Sequence, residues 1–74
     1  MAKAPRITAA QMLRALNRDG WTELRTSGSH IILHHPAKPG RPIVPYHSGI
    51  LAPKTYRSII NEAGLTDEQL RELL

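Results

Sequence analysis

His30 is the residue of this chain best suited to chemistry, because it follows Gly28 and Ser29 directly and precedes the apolar run Ile31–Leu33. Glycine permits a tight turn or the close approach of a phosphate, and histidine takes up and releases a proton near neutral pH. The pattern predicts a proton-transferring histidine at the beginning of a strand. A histidine that only ends the strand and hydrogen-bonds the turn is the alternative, and position alone does not separate the two.

The middle of the chain is basic and contains no carboxylate. Residues 26–60 hold four Lys or Arg residues and all four histidines, whereas all six Asp and Glu residues lie outside that segment. The net charge is +4 with the histidines neutral. Because the charges are separated by segment, we expect a polyanionic partner rather than a basic surface that serves solubility alone.

The residues around His30 argue against a bound metal. Magnesium is usually held by carboxylates, which this segment lacks, and the chain has no cysteine. On a strand, His30 and His34 would stand about 13 Å apart, and His34 and His35 would point to opposite faces. A site joining His30 to His47 would still lack further ligands. We therefore expect neither a metal nor a cofactor.

Helices at both ends must position this histidine. Thr8 and Gln11 form a capping box for a first helix that runs to about Arg18. Pro53 suits the first turn of a second helix that runs to about Ala63. A second capping box, Thr66 with Gln69, predicts a short helix over residues 66–74.

Three strands are expected between the helices, over residues 21–26, 29–35 and 41–47, with Leu24 facing the core. Two prolines in the third, Pro42 and Pro45, indicate an edge strand. The predicted fold class is α+β, in the order α-β-β-β-α with a short C-terminal helix. Both long helices pack on one face of a three-stranded antiparallel sheet, which leaves the other face free.

The length of 74 residues predicts one domain, 1–74, with residues 1–6 as a loose arm. No apolar stretch resembles a signal peptide or a membrane span, so we expect a soluble cytoplasmic protein. Trp21 could stack on a base, but a role as core anchor is favoured because the chain has no Phe.

The chain resembles the HicA family of toxins from HicA/HicB toxin–antitoxin systems. The resemblance covers most of the chain, from the first helix to Leu65. Its motifs, in order, are Gly20-Trp21, Arg25, Gly28-Ser29-His30, His35-Pro36, Val44-Pro45, His47, Thr55, Arg57, Ile59-Ile60 and Ala63-Gly64-Leu65. The chain departs from the family at Lys54-Thr55, where a Gly-Thr pair is usual.

The resemblance implies a fold like that of double-stranded RNA-binding domains. It also implies a type II toxin that cuts messenger RNA with His30 and is silenced by a HicB-like antitoxin. The free toxin is expected to be a monomer.

RNA carries its own nucleophile, the 2′-hydroxyl, so its cleavage needs an acid, a base and positive groups, but no metal. His30 can be the acid or the base. His47 is a candidate for the other role, with a structural or antitoxin-contacting role equally open. The candidate RNA-binding residues are Gly28, Ser29, Arg25, Lys38, Arg41 and Lys54.

Two other functions compete with the ribonuclease. A non-catalytic module that binds double-stranded RNA would share the fold and show salt-sensitive binding without cleavage. A protein-interaction domain would bind an acidic partner and show no affinity for RNA.

Overall fold

Three antiparallel strands and three helices make up residues 5–74, the part of the chain that the computed structural model describes. The strands form one sheet in the order β1-β2-β3. This arrangement confirms the predicted α+β fold. The elements are α1 (Ala9–Arg18), β1 (Thr22–Ser27), β2 (His30–His34), β3 (Ile43–Pro45), α2 (Pro53–Ala63) and α3 (Asp67–Leu73).

Both predicted capping boxes are present. The Thr8 hydroxyl accepts a hydrogen bond from the Gln11 backbone N–H at 3.2 Å, and the Gln11 side chain accepts one from the Thr8 N–H at 2.9 Å. Thr66 and Gln69 repeat the pattern at the start of α3, at 3.1 and 2.9 Å. Because each box satisfies N–H groups that a helix leaves unpaired, it fixes where α1 and α3 begin.

The third strand is shorter than predicted, three residues instead of seven, and it is an edge strand as expected. Pro42 and Pro45 have no N–H to give to a ladder, which limits pairing on both sides of Ile43 and Val44. The Pro42 carbonyl still accepts a hydrogen bond from the Leu33 N–H at 3.0 Å.

The prediction that Leu24 faces the core is wrong, because its side chain is 49% exposed. The pairing of β1 with β2 shifts between Glu23, opposite Leu33, and Arg25, opposite Ile32. Leu24 is thus the extra residue of a β-bulge, which breaks the inward–outward alternation that the prediction assumed.

The core lies between the helices and one side of the sheet. Leu33 and Val44 contribute from the sheet, and the largest fully buried side chains include Trp21, Tyr56 and Met12. Trp21 is 1% exposed, which confirms it as a core anchor. We call the other side of the sheet the open face. Its residues are Thr22, Arg25, Ser27, His30, Ile32, His34, Ile43 and Pro45.

Helix α3 closes the core against α1 and α2. Leu70 is fully buried, and the Arg18 guanidinium donates to the Leu73 carbonyl at the end of α3. At its start, the Asp67 carboxylate accepts hydrogen bonds from the Tyr56 hydroxyl at 2.8 Å and from Arg57 at 3.2 Å. None of the helices within the described residues has the length and apolar character needed to cross a membrane.

The Asp67 contact makes a pH-dependent contribution to stability. The hydrogen bond from Tyr56 holds the pKa of Asp67 below its ordinary value. A carboxylate of this kind stabilises the fold above its unfolded pKa, about 3.9, and loses that contribution as the pH falls through the folded value. We expect Asp67→Asn to melt below the wild type at pH 7, with the difference shrinking below about pH 4.

Thermal melts followed by circular dichroism from pH 7 to pH 2 measure this difference. Glu68→Gln is the matched control, because Glu68 is the next residue of the first turn of α3 and is exposed. If the two variants melt alike across the pH range, the hydrogen bonds of Asp67 with Tyr56 and Arg57 add nothing to the effect of a negative charge in the first turn of α3.

Candidate active site

His30 is the first residue of β2 and is exposed. It pairs with Ser27 of β1 and Pro45 of β3, and directly opposite residues of an antiparallel sheet share a face. The next residue, Ile31, pairs with buried Val44 on the core side, so His30 lies on the open face. No hydrogen bond to the His30 ring is formed by any residue in 5–74, which leaves both ring nitrogens for a substrate.

A tight turn presents His30 at the start of the central strand. Gly28 has a φ of +60°, in the left-handed region that favours glycine, and a Cβ there would meet no atom within 4 Å. The Ser29 carbonyl accepts a hydrogen bond from the Tyr46 N–H at 2.6 Å. The turn before His30 is therefore tied to the segment that follows β3.

His47 lies in that segment, two residues after Pro45, and is exposed. Its Nδ1 is 2.8 Å from the Ser48 carbonyl oxygen. Because a carbonyl only accepts, Nδ1 carries the hydrogen, and in the neutral ring Nε2 is the free acceptor. The structure thus brings a second histidine to the His30 end of the sheet, with its ring orientation fixed by the backbone.

Arg25 is the predicted cation closest to His30 within the sheet. It pairs with Ile32, and it stands two residues from Ser27, the partner of His30. Residues in this diagonal relation lie about 7–8 Å apart, within reach of a long side chain. The Arg25 guanidinium can therefore contact a phosphate that is bound beside the His30 ring.

The N-termini of both long helices lie at the His30 end of the sheet. Leu51 lies in the loop after β3, and its N–H donates a hydrogen bond of 2.8 Å to the carbonyl of Ile7. Ile7 directly precedes Thr8, the N-cap of α1. At the other end of the sheet, the Lys38 ammonium contacts the carboxylate of Asp19, which follows α1, and the carbonyl of Ala63, which ends α2. The positive ends of both helix dipoles thus point towards the end that carries His30.

Lys54 stands in the first turn of α2, at this same end. The N-cap residue, Ala52, makes no side-chain cap, and Pro53 has no N–H. The first turn of α2 therefore keeps backbone donors for an external acceptor, and Lys54 adds a positive charge beside them.

Lys38 and Arg41 lie at the opposite end of β2 from His30. Lys38 Nζ is 2.7 Å from the Asp19 carboxylate and 3.2 Å from the Ala63 carbonyl, so it links the ends of α1 and α2. Arg41 donates to the carbonyls of Pro39 and Gly40 in its own loop. The structure does not bring these two cations together with the other predicted site residues.

His35 has a structural environment that the sequence did not reveal. Its Nδ1 accepts from the Ala37 N–H at 2.9 Å, and its Nε2 lies 2.7 Å from the Asp19 carbonyl. These two partners require the neutral ring with the hydrogen on Nε2. The ring also packs edge-on against Trp21. His35, which follows β2, therefore connects the end of that strand to Asp19 at the end of α1.

His34 lies on the open face opposite Thr22, far along the strand from His30. Within the described part of the chain, no three His, Asp or Glu side chains converge on a point where a metal could bind.

Comparison with known proteins identifies the family. The family model described as the HicA toxin of bacterial toxin–antitoxin systems matches residues 9–65, from the start of α1 to the residue after α2 and its Gly64 cap. No curated protein sequence matches the chain. The matched region contains His30, His47, Arg25 and Lys54, and it covers more than half of the 74 residues. The chain therefore belongs to the HicA family of bacterial toxin–antitoxin toxins.

Proposed function

We propose that this protein is an endoribonuclease toxin that cuts messenger RNA without a metal, with His30 as a general acid or base. The observation that carries the proposal is the convergence at one end of the sheet. At that end lie the exposed His30, whose ring has no hydrogen-bond partner among the described residues, and the segment that carries His47. The N-terminal ends of α1 and α2 lie at the same end, on the other side of the sheet. Membership of a toxin family supports the same activity.

The two histidines divide the proton transfers. The free Nε2 of His47 accepts the proton of the RNA 2′-hydroxyl, whose oxygen attacks the adjacent phosphorus. The bond from phosphorus to the 5′-oxygen breaks, and protonated His30 donates a proton to that leaving oxygen. The products are a 2′,3′-cyclic phosphate and a 5′-hydroxyl, and each acid or base contributes roughly 10²–10⁴-fold.

Positive groups at the same end bind the phosphate and stabilise its extra negative charge in the transition state. Arg25 reaches the phosphate from β1, and Lys54 acts with the uncapped first turn of α2. Gly28 and Ser29 let the RNA backbone approach the turn. At the other end of β2, Arg41 adds only longer-range attraction for the RNA. The charge of Lys38 is paired with that of Asp19.

Family membership supports a biological setting that forms part of the proposal. The toxin is neutralised in the cytoplasm by an antitoxin of the HicB type, and the free toxin is a monomer. Finding a short adjacent reading frame that encodes an antitoxin-like protein would be the simplest support for this setting.

Cleavage by the purified protein tests the mechanism. We expect cleavage of single-stranded RNA to persist in EDTA, to leave 2′,3′-cyclic phosphate ends and to stop when the nucleotide before the scissile bond is 2′-deoxy. Products with 3′-hydroxyl ends that require magnesium would contradict the mechanism. Salt-sensitive binding of duplex RNA with no cleavage would instead support the non-catalytic RNA-binding module.

A further inference from the structure

Tyr46 is an aromatic side chain that the core does not use. The chain has one Trp, two Tyr and no Phe, and these three rings belong to Trp21, Tyr46 and Tyr56. Trp21 and Tyr56 are buried, at 1% and 2% exposed, whereas Tyr46 is 52% exposed. A single exposed apolar side chain is ordinary on a protein surface, so the contacts and the position of this ring decide whether it has a role.

The two buried rings have polar partners inside the protein, and the exposed one has none. Trp21 Nε1 donates to the Asp19 carboxylate at 3.2 Å, and the Tyr56 hydroxyl donates to the Asp67 carboxylate at 2.8 Å. Among residues 5–74, no group hydrogen-bonds the Tyr46 hydroxyl, and no aromatic ring or cation packs on its ring. The ring and the hydroxyl of Tyr46 are therefore available to a ligand.

Tyr46 stands beside the turn that leads into His30. It directly follows Pro45, which pairs with His30, and its N–H donates to the Ser29 carbonyl at 2.6 Å. The Cα atoms of Tyr46 and His30 therefore lie within about 10 Å of each other. Strand alternation turns the Tyr46 side chain away from the face that carries His30, and the ring lies outside the core. The ring is thus reached from His30 by passing around the end of the sheet.

This placement suits a base of a single RNA strand. A strand whose phosphate lies at His30 can pass around the end of the sheet and set an adjacent base on the ring of Tyr46. Aromatic side chains bind single strands in this way, and every base has a face that stacks. A base inside a duplex is already paired and stacked, so it cannot cover the ring. No Asp or Glu lies between residues 26 and 60, so no carboxylate of that segment repels the strand.

We propose that Tyr46 is a specificity-determining residue, which stacks on an unpaired base next to the phosphate at His30 and thereby restricts the substrate to single-stranded RNA. The inference rests on the proposed ribonuclease function and adds a residue that selects the substrate of that same site. The ring supplies binding free energy and transfers no proton. Its truncation should therefore raise KM and leave kcat nearly unchanged.

The test measures binding of an RNA that cannot be cut, because the nucleotide before the mapped cleavage position is 2′-deoxy. Fluorescence anisotropy should show that Tyr46→Ala weakens binding about 5–150-fold, the range for losing one stacked base. Tyr46→Phe keeps the ring and should bind like the wild type. Ile50→Ala is the matched control, since Ile50 is 46% exposed in the same loop and is not aromatic, and it should also bind like the wild type.

An RNA that lacks one base identifies the partner of the ring. We expect an abasic nucleotide beside the cleavage position to weaken binding to the wild type as much as Tyr46→Ala does. The same RNA should lose nothing further with Tyr46→Ala, because the two changes remove one shared contact. A complementary strand annealed across the cleavage position should protect the RNA from the wild type. If Tyr46→Ala fails to fold, Tyr46→Leu keeps the apolar bulk and still lacks an aromatic face.

Three results would overturn the inference. If Tyr46→Ala binds and cleaves like the wild type, the ring does not contact the RNA. If Tyr46→Phe loses as much affinity as Tyr46→Ala, the contact is made by the hydroxyl and not by stacking. If the abasic nucleotide costs the same in the wild type and in Tyr46→Ala, the base lies elsewhere. The ribonuclease proposal fails separately, when the wild type binds RNA through Tyr46 but leaves it intact.

Discussion

Replacing His30 with alanine should reduce RNA cleavage by about 10²–10⁴-fold while leaving the melting temperature nearly unchanged. The imidazole is exposed and has no hydrogen-bonding partner among the described residues, so its removal costs little folding free energy. Its loss should nevertheless remove one of two proton transfers at the scissile phosphate. Single-turnover cleavage of a labelled RNA by purified protein measures the rate, and calorimetry measures the stability.

His34→Ala is the matched control for this experiment. It removes the same side chain from the same face of the same strand, four residues further along, where it faces Thr22 instead of the turn. We expect its cleavage rate to remain within a few-fold of the wild type. Equal losses in both variants would indicate that the imidazoles serve general RNA binding and would remove the assignment of His30 as acid or base.

The second large effect concerns the end of the chain beyond the matched region. Leu70→Ala should lower the free energy of unfolding by about 2–5 kcal/mol, because Leu70 is fully buried and its truncation leaves a cavity between helices. In a domain of this size, such a loss lowers the melting temperature by about 10 °C or more. Urea unfolding monitored by Trp21 fluorescence measures it directly, since that ring lies in the core.

Leu74→Ala provides the comparison for Leu70→Ala. Leu74 is 47% exposed at the end of the same helix, so its truncation should cost less than about 0.5 kcal/mol. If the two variants unfold alike, α3 is an appendage of the domain. If Leu70→Ala alone is destabilised, α3 belongs to the folding unit although the HicA family model stops at residue 65.

The helices were predictable because their signals are local. Thr8 with Gln11 and Thr66 with Gln69 are three residues apart, and the hydrogen bonds they make are those of the capping box. The position of His30 at the start of a strand was predictable for the same reason, because Gly28 indicates a turn directly before the strand. In the structure Gly28 has a φ of +60°, in the left-handed region that favours glycine.

Contacts between distant residues could not be predicted in this way. Lys38 and His35 both bind Asp19, nineteen and sixteen residues away along the chain, and neither pairing leaves a trace in local sequence. A lysine that looks available for RNA is therefore engaged in joining two helices. Gly40 is a similar case, because a Cβ there would lie 1.9 Å from the Glu62 carbonyl oxygen, a contact that only the packed α2 reveals.

The bulge at Leu24 lets one strand satisfy two conflicting demands. Counting back from Ser27 in strict alternation would place Trp21 on the open face, although the core needs its ring. The extra residue resets the phase, so that Arg25 stays on the face of His30 while Trp21 turns inward. Deleting Leu24 would therefore either turn Trp21 out of the core or move Arg25 away from the face of His30.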